Sequence, residues 1–119
     1  MADIEVHASV VWIENEGADR AVGFATSDDP EDGYVLFQHE SGTGPETLYV
    51  EVSDEIFGAA DAVERVTFAP GIIHLTLKAD SAVRFGMVTS VDILLSDDLE
   101  NWAAAGAALR ALLPAAVVA

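Results

Sequence analysis

The sequence predicts an α+β domain: a mostly antiparallel sheet of about six or seven strands, one short helix, and a long C-terminal amphipathic helix packed on one face. Three observations carry this. Most of the chain divides into segments of period-two alternation bounded by Gly, Pro and Asp. One stretch near the C-terminus places apolar residues at helical spacing. The length of 119 residues suits one domain over 1–119 with a core of its own.

The elements follow in order. Asp3–Ile13 reads as one long strand, with Ile4, Val6, Ala8, Val10 and Trp12 on its buried face. A turn over Glu14–Asp19 leads to a short strand, Ala21–Ala25, and then to a polar loop, Thr26–Gly33, holding Pro30 and four acids. Tyr34–His39 and Thr47–Val52 are the next strands, separated by the Gly-rich Ser41–Pro45 loop. Asp54–Ala60 reads as irregular. Ala62–Ala69 and Ile72–Lys78 form a hairpin about Pro70-Gly71. Asp80 caps a short helix, Ser81–Phe85, that stops at Gly86, and Met87–Leu95 is the seventh strand.

The long helix opens at Ser96 or Asp97. Asp98 and Glu100 lie in its first turn and Arg110 near its end, as the helix dipole favours. Leu99, Trp102, Ala103, Leu109, Leu112 and Leu113 form its apolar stripe, and Pro114 stops it. Ala115–Ala119 is a tail or a short docking strand.

Charge is the strongest global signal. Residues 1–64 carry 16 acids and one base, and residues 65–119 carry five acids and four bases, so −15 and −1 make up the net −16. Such a field repels nucleic acid and anionic membranes and attracts a basic partner. The chain has no cysteine, which excludes disulfides and thiolate-held metals. An acidic, polar N-terminus is not a secretory signal, and Trp102–Ala119 is too short and too interrupted to span a bilayer, so a cytoplasmic protein is expected.

No catalytic or metal-binding pattern emerges. A calcium loop begun at Asp28 would place Gly33 correctly, but Pro30 and His39 fall where oxygen ligands are needed. His7, His39 and His74 stand singly on strands, without the paired spacing of a zinc site. There is no Gly-x-Ser-x-Gly elbow, and Ser41-Gly42-Thr43-Gly44 lacks the lysine of a phosphate loop. No enzyme activity, cofactor or metal is expected. Of the large side chains that could anchor an interface, Tyr34, Phe37, Tyr49, Phe57 and Trp102, the last falls on the helix stripe and belongs to the core. Tyr49 and Glu51 share one strand face, and Gln38 shares a face with Tyr34 and Leu36, which suits a surface.

The run Val22-Gly23-Phe24-Ala25, an acidic loop, and Tyr34-Val35-Leu36-Phe37-Gln38 resembles the opening of the immunity protein 10 family. Leu48-Tyr49-Val50-Glu51-Val52, the Val66–Leu77 hairpin, the short helix before Gly86 and the closing Leu109-Arg110-Ala111-Leu112-Leu113 are similar to it as well. The resemblance runs from Ile4 to Leu113. It implies a bacterial cytoplasmic antidote that neutralises a cognate toxin of a polymorphic toxin system by binding it, with no catalytic residues to carry over. The expected contacts are Asp28, Asp29, Glu31 and Asp32 of the acidic loop, with Gln38, Tyr49 and Glu51, and with Asp54 and Glu55. Their carboxylates would make charge-assisted contacts with a basic toxin surface. The alternatives are an acidic structural module, including a homodimer formed through an open strand edge, and a small metal-dependent enzyme.

Overall fold

In a computed structural model, two sheets share one hydrophobic core. The structure describes residues 3–16, 19–40, 47–54, 56–95, 102–113 and 117–118. The elements are β1 (Ile4–Ala8), β2 (Val10–Glu16), β3 (Asp19–Ala25), β4 (Tyr34–Glu40), β5 (Tyr49–Val52), β6 (Gly58–Ala60), β7 (Val63–Ala69), β8 (Ile72–Leu77), β9 (Ser90–Leu95) and α1 (Trp102–Leu112). The 3₁₀ segments Pro30–Asp32 and Ala79–Phe85 lie between them.

The α+β class holds, but the single sheet does not. The strands form a four-stranded sheet in the order β1-β9-β8-β7 and a five-stranded sheet in the order β2-β3-β4-β5-β6. The five-stranded sheet is wholly antiparallel, whereas β1 runs parallel to β9. The division occurs at Ser9. Its N–H donates to the Ala25 carbonyl at 2.9 Å and its hydroxyl to the Thr26 carbonyl at 2.5 Å, and the chain passes from one sheet to the other. The expected Asp3–Ile13 strand is therefore two strands. The buried face also changes at the crossing: Val6 and Ala8 are in the core before it, and Val11 packs on the core after it. Trp12, expected inside, is turned to the outer face.

Four further expectations need correction. Gly58–Ala60, in a stretch expected to be irregular, is strand β6, paired with Tyr49–Glu51. The last strand begins at Ser90, not Met87. The short helix is 3₁₀ and starts from Lys78 with no side-chain cap, so Asp80 is an exposed first-turn residue; its stop at Gly86 (φ 65°) is as expected. The C-terminal helix, expected to be long, is short: the described α1 has 11 residues, and the expected opening over residues 96–100, like the side chain of Trp102, lies outside the described residues.

The core side of α1 is Ala105, Leu109 and Leu112, while Ala103 is exposed. The helix lies against β2, β3 and β4. Beyond it, Val117 is buried and Val118 forms a parallel bridge to Val66 on β7, so the tail does dock on that edge. Inside, the rings of Phe24 and Phe37 meet edge to face at 6.5 Å, which removes Phe37 from the candidate anchors. A register shift between Val63 and Arg65 lets Val63 and Val66 both face the core. Burying this aliphatic set at roughly 25 cal/mol per Å² of apolar surface is the main force holding the sheets together.

Candidate functional site

The outer face of the five-stranded sheet is set by strand alternation. Cross-strand register aligns Trp12 with Gly23, Gly23 with Leu36, Leu36 with Glu51, and Glu51 with Gly58. A second row aligns Gln38 with Tyr49. Both rows present large side chains over small ones: the Tyr49 hydroxyl lies where a Cβ on Gly58 would be, 2.1 Å away. At these two glycines the sheet has no side chain of its own, and aromatic rings from neighbouring strands cover the backbone.

Glu51 is the hub of this face. Its Oε1 accepts the Tyr49 hydroxyl at 2.6 Å and its Oε2 accepts the Tyr34 hydroxyl. All three residues are half-buried. The Tyr34 phenol is pushed well above its ordinary value, first by burial, then by its hydrogen bond to Glu51 and the negative charges of Glu51 and Asp54. Tyr34 was visible in the sequence as a large residue on a surface-suited face, but nothing there tied it to Glu51, 17 positions away.

The acidic loop joins the same end of the sheet. Thr26 N–H donates to the Gly33 carbonyl at 3.1 Å, and Ser53 N–H to the Tyr34 carbonyl at 2.8 Å, so loop 26–33 and the turn that opens at Ser53 and Asp54 flank the start of β4. Asp29 accepts the Glu31 N–H at 3.0 Å, and Asp32 accepts the Ser27 hydroxyl at 2.5 Å. These two acids hold the loop in shape. Asp28 and Glu31 are exposed and make no side-chain hydrogen bond or ion pair among the described residues. Asp54 is exposed, and its carboxylate accepts the Ile56 N–H at 3.1 Å. The structure thus gathers Asp28, Asp29, Glu31, Asp32, Glu51 and Asp54 around one end of the sheet. Gln38 and Tyr49 lie further along the same face, Gln38 exposed. Glu55 lies outside the described residues.

The other outer face carries a feature that single-residue reading of the histidines missed. On β8 and β9, His74 Nδ1 pairs with Asp92 Oδ1, and Asp92 is aligned in turn with Glu5. An Asp-oriented imidazole suits proton transfer, but no hydroxyl among the described residues is hydrogen-bonded to it. Nor, among the described residues, do three or more His, Cys, Asp or Glu gather so as to hold a metal. An open cleft of about 390 Å³ lies at the Ser9 crossing, lined by His7, Ala8, Ser9, Thr26, Leu94 and Leu95, with the Ser9 hydroxyl already committed to Thr26.

No family model, no curated protein and no solved structure matches the chain. Among the described residues no helix is long and apolar enough to cross a membrane.

Proposed function

We propose that this chain is a binding protein that neutralises a cognate bacterial toxin by direct contact, presenting an acidic surface to a basic one in the cytoplasm. The observation that carries this reading is the convergence at one end of the five-stranded sheet. The exposed acidic loop, the Asp54 turn and the Tyr34–Glu51–Tyr49 cluster meet there, within the half of the chain that holds 16 acids and one base. Exposed carboxylates on a hydrogen-bonded loop speed encounter with a cationic surface and supply charge-assisted contacts once docked. Half-buried tyrosines beside them suit an interface, where a ring buries apolar area and its hydroxyl stays hydrogen-bonded. The resemblance to the immunity protein 10 family supports the same reading.

The test is co-expression with a candidate toxin domain, sought among the genes beside this one, followed by size-exclusion chromatography of the pair. Rescue of growth with a co-eluting complex is the expected result. The charge reversals Asp28→Lys and Glu31→Lys should then weaken the complex while the thermal unfolding of the free protein is unchanged. An active toxin that is neither bound nor neutralised would overturn the proposal.

A further inference from the structure

Among the described residues four large hydrophobic side chains are exposed, and three of them, Ile56, Val83 and Met87, stand at 70–73% exposure. A Cβ on Gly86 would lie 3.5 Å from Phe57 Cε1, so the Phe57 ring rests on the end of the Ala79–Phe85 segment. That contact sets the turn of Ile56 and Phe57 beside the end of the segment that carries Val83 and leads into Met87. The fourth residue, Ile13 on β2, is 42% exposed.

The backbone at this corner is strained. Gly86 takes the left-handed conformation that ends a helix, and Met87 after it takes the same conformation, with φ 71°. Its N–H donates to the Ala82 carbonyl at 2.8 Å, closing the turn. In such a turn the residue after the glycine commonly packs back on the helix; here the Met87 side chain points to solvent. Glycine adopts this left-handed conformation freely, whereas a methionine there is strained. Neither the core nor the turn requires a methionine there.

We infer that the Ile56–Val83–Met87 corner is the apolar anchor of the interface and seats a protruding apolar side chain of a cationic partner protein. The inference rests on the proposed function and adds where the uncharged contact lies. Charge selects this occupant. Asp54 is two residues before Ile56, and the exposed acidic loop flanks the same sheet end, so a partner over the corner also meets the carboxylates. A second copy would bring −16 against −16, and an anionic membrane is repelled likewise. Arg84, exposed on the segment that carries Val83, is the local exception in sign. An apolar centre with a charged rim is the usual anatomy of a protein interface.

The experiment is an NMR titration of the full chain with two peptides of equal length and charge, an amphipathic Lys/Leu peptide and a Lys/Ser peptide. The expected result is that both perturb the acidic loop, that only the Lys/Leu peptide perturbs the methyl groups of Ile56, Val83 and Met87, and that it binds about tenfold tighter. Met87→Gly should abolish that tenfold difference while leaving the melting temperature equal or higher, since it relieves the backbone. Ile56→Asp should abolish it as well. Equal binding of the two peptides with the corner silent overturns the anchor and leaves the acidic surface standing. No binding of either peptide overturns both. Corner resonances that shift on dilution of the free protein assign the corner to a second copy and overturn the inference.

Discussion

A Cβ on Gly23 would lie 2.0 Å from Cζ2 of Trp12, because the indole of the edge strand β2 covers the backbone of its neighbour β3. Any side chain at position 23 must displace that ring. Gly23→Ala should therefore destabilise the protein by about 1–3 kcal/mol, the usual scale of overpacking, and red-shift Trp fluorescence as the indole moves into water. Urea denaturation with fluorescence detection checks both. An alanine variant of unchanged midpoint and spectrum would contradict the placement of Trp12.

The guanidinium of Arg110 lies 3.9 Å from the centroid of the Phe68 ring and so joins α1 to β7. Removing the charge with Arg110→Gln should cost about 0.5–1 kcal/mol. A double-mutant cycle with Phe68→Leu should recover a coupling of the same size; zero coupling would mean that Arg110 contributes through its alkyl stem alone.

Tyr34 gives the alkaline limb of stability a distinct shape. Its folded-state value is raised above the ordinary value near 10, so the folded state holds the proton more tightly than the unfolded chain. The associated stability is fully present below about pH 10 and is lost as the pH rises from there through the folded value. Tyr34→Phe removes this linkage. Its unfolding free energy should fall less steeply above about pH 10 than that of the parent, measured by urea midpoints across the alkaline range.

Asp3 acts at the other end of the scale. Its carboxylate accepts the Thr89 N–H at 2.9 Å and the Thr89 hydroxyl at 3.2 Å. The backbone hydrogen bond from Thr89, foremost, holds its carboxyl below the usual range. A lowered value gives stability that is present above the unfolded value near 4 and is lost as the pH falls through the folded one. Asp3→Asn should flatten the acid limb of the stability profile while leaving the alkaline limb unchanged.

Within the acidic loop the four carboxylates should separate by role. Asp29→Ala and Asp32→Ala remove hydrogen bonds to Glu31 N–H and to the Ser27 hydroxyl, and each should lower the melting temperature. Asp28→Asn and Glu31→Gln remove only exposed negative charge and should leave it unchanged or raise it. Differential scanning calorimetry of the four single variants distinguishes the two classes.

Much of the strand content was legible in the sequence because alternation reports directly on a half-buried strand: Ile73, Leu75 and Leu77 on β8 and Val50 and Val52 on β5 are buried as their spacing predicts. The split of the first strand was not legible. Alternation continues unbroken through Ser9, and only hydrogen bonds to Ala25 and Thr26, far along the chain, turn the backbone there. Strand β6 was hidden for the opposite reason. Gly58-Ala59-Ala60 has almost no β propensity, and it is a strand because β5 offers an edge and the Tyr49 ring needs a glycine beneath it. At the candidate site, the residue types were readable, but the bond between Tyr34 and Glu51 depends on strand register, and the Met87 corner on a left-handed backbone that no local pattern announces.

The crossing at Ser9 also orders the assembly of the molecule in time. Strands β2 to β6 pair with neighbours in sequence, so that sheet can form hairpin by hairpin as the chain emerges from the ribosome. Strand β1 cannot: its partner is β9, with Ile4 against Val91, and no hydrogen-bonding edge for it exists until that distant segment has been made. The opening residues of the chain are therefore among the last to dock, and closing this long loop is a slow, high-contact-order step. Until it closes, Val6 and Ala8 remain in water, and a nascent chain stalled short of β9 exposes an unsealed core to chaperones and proteases.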